Sequence, residues 1–377
     1  NTAARRLGLD AVDVRLRNLP ARGETFVPGD IPCDGTWNES VRAAAAALDW
    51  HAPRAPGRGR GIAIGIKSPK PATVSQAIVR LHNDGSVSVC AGTTDMGQGS
   101  RTVLAQLAAH ELQVPLDRVT VICSDTALAP FDSLTASSRS TVFMGNAVVD
   151  ACAQIRTKIV GMAADVYQCS PSEISIGGGA AVVNGATRSY CEIIEGYYGP
   201  ASGDVIAVGE YRQVRDPQHP LGGLASFWEF IVCAAEVAVD AETGAYTVTR
   251  LATVGDIGMA LNPAQVEAQD EGGAALALGH TMMEHLLLDE HGRVRNPGVL
   301  DYRIPTTMDV PEHMLSQLTE NADGPGPYGA KGTGESGALA VAPAVAAAIA
   351  DATGLICTEL PITSERLWHA LQRPSQP

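Results

Sequence analysis

Residues Gly324 to Gly337, GPGPYGAKGTGESG, bring together residue types that can do chemistry on a backbone loop. Glycine lets the main chain approach a ligand closely or take a positive φ, and proline stiffens the path. Glu335 stands at the end of this loop, and an alanine-rich run with helical character follows from Gly337 to Ala352. The loop therefore reads as the mouth of a helix. Two readings of Glu335 stand side by side: an N-cap of that helix, or a general base held on a shaped loop.

Three further stretches carry chemistry-bearing residues. GTTDMGQG, Gly92 to Gly99, lies between an apolar strand-like run and a helix-like one. Such a turn offers backbone N–H groups and a positive helix end to an anionic phosphate, or is simply a tight turn. It has neither the GxGxxG spacing of a dinucleotide fold nor the GKS or GKT of a phosphate loop. LTASSRSTVFMGNA brings Ser137, Ser138, Ser140 and Thr141 to the start of a long helix, as a second phosphate site or as N-caps. Gln269, in QDEGG, lies on a helix, either toward a ligand or on a solvated polar face. Two phosphate-type sites in one chain would suit a dinucleotide-like ligand or the pyrophosphate of a cofactor.

The elements that must position these groups alternate between strand and helix. Residues 1–20 read as a helical tail, and 21–59 as a connection around one alanine-rich helix, Glu39 to Asp49. GIAIGI, ATVSQAIVRLH and SVSVCAG read as strands, the last two joined as a hairpin by Asn83 to Gly85. A helix from Ser100 to Leu112, a strand in LDRVTVICSD and a helix from about Val142 to Tyr167 follow. GGGAAVVNG and the run from Gly196 to Gly223 read as weakly structured. SFWEFIVCAAEVAVD and AYTVTRLATVGD form a long antiparallel hairpin, and a helix opens at Asn262–Pro263. A short hairpin from Leu286 to Arg295, a strand around Glu312 to Thr319 and two closing helices complete an α+β chain.

Composition narrows the partners. The 377 residues are 45% hydrophobic and 18% charged but only 5% aromatic, so small residues must fill a tightly packed interior. A net charge of −14 without clustered Lys and Arg argues against nucleic acid and offers nothing to an anionic membrane. No signal peptide and no bilayer-spanning apolar stretch is read from the sequence. The eight cysteines stand singly, which argues against a zinc or iron–sulfur site in this chain. Buried free thiols in a reducing cytoplasm are the simplest account of them.

Taken in order, GTTDMGQG, SSRSTVFMGNA, EVAVDAETG, DIGMALNP, QDEGG, DYRIPTTMD and GPYGAKGTGE resemble the molybdenum-binding subunit of the xanthine oxidase/aldehyde oxidase family. The resemblance covers nearly the whole chain. It corresponds to the C-terminal half of the usual molybdopterin-binding subunit, as in split-subunit members. It implies a molybdenum-cofactor-binding fold of two β-sheet/helix subdomains, 59–225 and 226–377, after a tail and connection at 1–58.

The resemblance further implies that Glu335 is the active-site base. It would take a proton from water or hydroxide at the metal, and the oxygen would pass to an electron-poor carbon. Gly97, Gln98 and Gly99 would hold the pterin–phosphate part of a molybdenum–molybdopterin cytosine dinucleotide. Ser138, Arg139, Ser140 and Thr141 would hold its pyrophosphate or nucleotide part. Gln269 would lie near the pterin, and Lys331 and Gly332 would join the cofactor-binding set. No side chain would ligate molybdenum directly, the metal being held by the pterin dithiolene. Electrons would leave for [2Fe–2S] centres and FAD on partner subunits. Substrates of the family are N-heteroaromatic rings or aldehydes; a ring-reducing or thioester-linked aromatic enzyme with the same centre, and a non-catalytic molybdopterin carrier, are the alternatives.

Departures from the family pattern set further expectations. The family's upstream GQ…E segment and GFGGK-type loop are absent, as are iron–sulfur and flavin motifs. The chain starts NTAARRLGLD without Met, as a fragment, a processed product or one piece of a split polypeptide would. A second molybdopterin subunit is therefore expected to complete the active site. Ser336 stands where many relatives carry proline after the Glu.

Overall fold

The computed structural model describes residues 1–69, 73–123, 125–200, 202–213, 218 and 224–372. The chain opens with helices α1 (Thr2–Arg6), α2 (Ala11–Asn18) and α3 (Trp37–Ala47). Strands β1 (Arg58–Lys67), β2 (Val74–Leu81) and β3 (Val87–Ala91) lead to α4 (Ser100–Leu112), β4 (Val119–Cys123) and α5 (Ser140–Tyr167). Then come β5 (Ile174–Gly177), β6 (Ala180–Val183), β7 (Ala186–Ser189), α6 (Tyr190–Tyr198) and β8 (Val205–Arg212). The remainder is β9 (Glu229–Val239), β10 (Tyr246–Gly258), α7 (Pro263–Met282), β11 (His313–Glu320), α8 (Val341–Thr353) and α9 (Ser364–Gln372).

These elements form two compact units. The first contains residues 1–68, 227–323 and 333–377; the second contains 69–226 and 324–332. These units differ from the expected division at 58/59 and 225/226 chiefly in two places, strand β1 and the loop 324–332. Strand β1 does not join β2. It pairs antiparallel with β9 over its whole length, Arg58 opposite Ala238 and Lys67 opposite Glu229. The loop 324–332 likewise returns to the second unit.

In the first unit the sheet order is β1-β9-β10-β11, with β10 and β11 parallel and α7 as the crossover between them. Alanine and glycine set how closely helix α8 lies on this sheet. A Cβ on Gly59 or Gly61 would collide with the carbonyl oxygens of Ala348 or Ala344, backbone against backbone. The buried cluster around this contact includes Ile231, Val237, Leu251, Val341, Val345 and Ile349. On β1 and β9, Arg60 Nε donates to Glu236 Oε2 at 2.8 Å, with both side chains buried. Arg60 Nη1 also donates to the carbonyls of Asp49 and Ala52, so this buried pair is hydrogen-bonded on several sides.

In the second unit the sheet order is β4-β3-β2-β8. The hairpin β2–β3 turns at Asn83 to Gly85 as expected, and β3 and β4 are parallel with α4 as their crossover. Helix α5 crosses this sheet, and Gly209 of β8 is again the point where a side chain would strike helix backbone, at Ala147 and Ala151. Two stretches read as weakly structured are strands. GGGAAVVNG contributes to a three-stranded antiparallel sheet, β5-β6-β7, and the run after Gly196 contains β8. Part of that run, 201, 214–217 and 219–223, lies outside the described residues.

The expectation that nothing is apolar enough to span a bilayer also needs correction. Ser336–Thr353 has a mean hydropathy of 1.4 over 18 residues. Its α-helical part is α8 alone, 13 residues or about 20 Å, and one face of it is buried against the sheet. All eight cysteines are free thiols, with Cys33, Cys123, Cys152 and Cys233 buried. Burial pushes the Cys152 thiol up to about 12.

Candidate active site

In the second unit, the Gly97–Gly99 turn projects from the end of β3 into the start of α4. Gly97 (φ +110°) and Gly99 (φ +83°) both lie in the left-handed region, and nothing stands within 4 Å of where a Gly97 Cβ would be. Gln98 ties the turn together: its Nε2 donates to Thr94 O at 2.8 Å and its Oε1 accepts from Met96 N at 2.7 Å. Asp95 accepts from the N–H groups of Gly97 and Arg101, both at 3.0 Å. Those bonds, that from Arg101 first, hold the Asp95 carboxyl below its ordinary range. A carboxylate therefore already lies on N–H groups of the kind a phosphate would use.

The hydroxyl loop enters α5 in an unusual way. Ser137 and Ser138 have φ of +59° and +51°, and the helix begins at Ser140 with no side-chain cap. The first-turn N–H groups of such a helix have no acceptor within it. The N-cap reading of these hydroxyls is thereby answered: Arg139 occupies the cap position and forms no capping bond. Arg139 itself points inward. Its Nη1 donates to Asp132 Oδ1 at 2.6 Å and to Leu134 O, and its Nη2 donates to Ser75 Oγ at 2.7 Å. The guanidinium also lies over Phe143, 4.7 Å from the ring centroid. Fully buried, Arg139 braces the loop that displays Ser138 and Thr141 through its two Nη atoms, while its Nε has no hydrogen-bond partner among the described residues.

Lys331 and Gly332 are buried in the same unit. A Cβ on Gly332 would overlap the Ser138 carbonyl oxygen, so the glycine loop and the hydroxyl loop meet backbone to backbone. Asn146 of α5 donates to Pro325 O at 2.8 Å, fastening the other end of the glycine loop to the same helix. Helix N–H groups without a side-chain cap, hydroxyls beside them and a turn with glycine at 97 and 99 fit an anionic, phosphate-bearing cofactor.

The chain passes back into the first unit at Thr333, and Glu335 follows. Glu335 precedes a 3₁₀ turn, Ser336–Ala338, and makes no side-chain capping bond there. The cap reading therefore fails on geometry. Its side chain is half exposed and ion-paired to Lys67 at the end of β1. Lys67 also meets the carboxylate of its cross-strand partner Glu229, Nζ to Oε2 at 3.2 Å, and Glu229 is 1% exposed. Ser336 Oγ donates to Glu229 Oε1 at 2.7 Å, so the residue beside Glu335 is fastened to the same buried carboxylate. The hydroxyl that replaces proline thus has a definite partner. The sequence reading singled out neither Lys67 nor Glu229, because their pairing depends on a strand register spanning more than 160 positions.

Gln269 is half-buried on α7, and its neighbour Asp270 is fully buried. Thr333 Oγ1 and Ser316 Oγ approach the Asp270 carboxyl at 3.4 Å each. Gly273 and Gly337 let α7 and the 3₁₀ turn touch through their backbones. Burial pushes the Asp270 carboxyl up to about 7 from an ordinary 3.8, against the opposing pull of the two hydroxyls. Between these values the folded state holds a proton that the unfolded chain has released. Its contribution to stability is therefore full below about pH 4 and is lost as pH rises through 7. Wild type should lose roughly 3 kcal/mol from this group between pH 5 and pH 8. Asp270→Asn should remove that slope, which urea midpoints at the two pH values would read.

Comparison with known proteins places the chain in a family. Residues 36–311 match the molybdopterin cofactor-binding domain family, and the chain belongs to that family. It is 28% identical to the xanthine dehydrogenase molybdenum-binding subunit of Escherichia coli O157:H7, over 97% of this chain and 50% of that one. It is 29% identical to the nicotine 6-hydroxylase large subunit of Paenarthrobacter nicotinovorans, over 97% of this chain and 48% of that one. The fold matches the crystal structure of quinoline 2-oxidoreductase from Pseudomonas putida 86, with a TM-score of 0.86 at 27% identity. That match covers 99% of this chain and 51% of the other. The chain spans about half the length of the curated relatives it matches.

Proposed function

We propose that this chain is the part of a molybdenum hydroxylase that binds the molybdopterin and supplies the catalytic base, acting on an electron-poor carbon of an N-heteroaromatic or aldehyde substrate. The observation that carries this reading is Glu335: a half-exposed carboxylate that caps nothing and is held on a glycine loop by Lys67. The names of three relatives, a xanthine dehydrogenase, a nicotine hydroxylase and a quinoline oxidoreductase, support the N-heteroaromatic class.

The molybdenum–pterin group, when bound, supplies two-electron oxidation of the substrate. Ser138, Ser140, Thr141 and the first-turn N–H groups of α5 bind the phosphate-bearing part, as a cytosine dinucleotide. Gly97 to Gly99 give a second anion-binding turn, with Asp95 leaving its N–H groups when phosphate arrives. Lys331 and Gly332 shape the loop against Ser138, and Gln269 would help hold the pterin. Glu335 accepts the proton released as oxygen is transferred. Partner subunits complete the metal site and carry [2Fe–2S] and FAD, in a reducing cytoplasm where the eight thiols stay free.

Metal and nucleotide analysis of the purified complex tests this reading. Molybdenum and cytosine nucleotide should be released on acid hydrolysis, with further subunits co-purifying. Their absence would refute it, and cofactor without turnover would favour a carrier. Full metal content and turnover from this chain alone would refute the need for a second molybdopterin subunit.

A further inference from the structure

Lys67 sits between two carboxylates of different kinds. Glu229 is buried at the first position of β9 and cannot move without breaking the strand pair. Glu335 is half exposed on the loop, and its own strand of contacts begins only with the 3₁₀ turn that follows. The ammonium meets Glu335 at Oε2. On the other side, Ser336 Oγ donates to Glu229 Oε1, so the loop is tied to Glu229 twice: directly through Ser336 and through Lys67 to Glu335. A lysine is a compact charge on a flexible stem with three donors, which lets one side chain serve both carboxylates.

Resting on the reading of Glu335 as the base, we propose that Lys67 is its positioning residue, anchoring the Glu335 carboxylate to the buried Glu229 so that it keeps one orientation toward the reacting proton. A glycine-rich loop left to itself would let the carboxylate sample many directions, and misplacement by an ångström can cost about 10²-fold in rate.

The test uses the purified holoenzyme complex carrying Lys67→Met, Lys67→Arg, or the double change Lys67→Met with Glu229→Gln. The double variant leaves no buried carboxylate uncompensated and guards against simple misfolding. Two quantities are read: steady-state kinetics, and labelling of Glu335 by a carbodiimide with glycinamide, quantified by peptide mass spectrometry. Lys67→Met and the double variant should lower kcat by about 10- to 100-fold with KM little changed. They should also raise Glu335 labelling several-fold, and Lys67→Arg should return both toward wild type. A fall in kcat without a change in labelling, or a change in labelling without a fall in kcat, overturns the positioning role. Retained turnover in Glu335→Gln would instead remove the base assignment, while the labelling still decides whether Lys67 clamps that carboxylate.

Discussion

Glu335→Gln should abolish hydroxylation while leaving molybdenum and nucleotide content at wild-type levels. Glutamine keeps the volume and a hydrogen-bonding end, so the loop that it stands on has no reason to move. Lys67 retains Glu229, and Ser336 retains its bond to the same carboxylate. What disappears is a proton acceptor, together with the charge that pairs with Lys67. Removing a general base costs typically about 10²–10⁴-fold in rate, and the loss should fall on kcat because the residue acts on the reacting proton. Steady-state turnover beside metal analysis of the same preparation measures both halves. Activity within a few-fold of wild type would end the assignment of Glu335 as base.

The second large effect concerns Gly332. Alanine there would push its methyl into the Ser138 carbonyl oxygen, a backbone atom with no rotamer to yield. Ser138 is already held at a positive φ, and Arg139 next to it is fixed by Asp132 and Ser75. The strain therefore has to displace the glycine loop or the hydroxyl loop. Overpacking of this kind costs about 1–3 kcal/mol. If that cost falls on the ligand-binding conformation, affinity for the cofactor drops about 10- to 100-fold. Bound nucleotide per chain and the thermal unfolding midpoint should both fall. Wild-type nucleotide content with an unchanged midpoint would show that the two loops do not form one binding surface.

Much of the fold was legible because its signals are local. The β2–β3 hairpin, helices α4 and α5, the β9–β10 hairpin and the Asn262–Pro263 start of α7 were all read from turn residues, caps and periodicity. Partnership was not legible. GIAIGI reads as a strand, yet nothing in it says that its partner is β9 and not the adjacent β2. Strand β8 escaped because Ile206 and Val208 put apolar groups on its exposed face, which flattens the alternation with Val205 and Ala207.

The candidate site divides along the same line. Glycine and hydroxyl clusters mark their loops from sequence alone, and the structure brings Ser138 and Gly332 together. Arg139 among its serines reads from sequence as a phosphate ligand, whereas its burial against Asp132 shows only in the fold. Lys67 and Asp270 carry no local signal at all. One is a lysine at a strand end, and the other an acid in a helix that happens to turn inward.

The contact of α8 with β1 has a bearing on how firmly Glu335 is rooted. Glycine and alanine lose no side-chain rotamers on burial, so ordering that contact carries almost none of the entropic cost that larger side chains incur. Gly59 and Gly61 lie against Ala344 and Ala348 with no torsions left to rearrange. The helix begins only a few residues after Glu335. Heat or a neighbouring substitution can loosen a leucine interface by letting side chains hop between wells. At these glycine–alanine points that route is closed, so the segment that follows Glu335 loosens there only if the helix backbone itself moves off the strand.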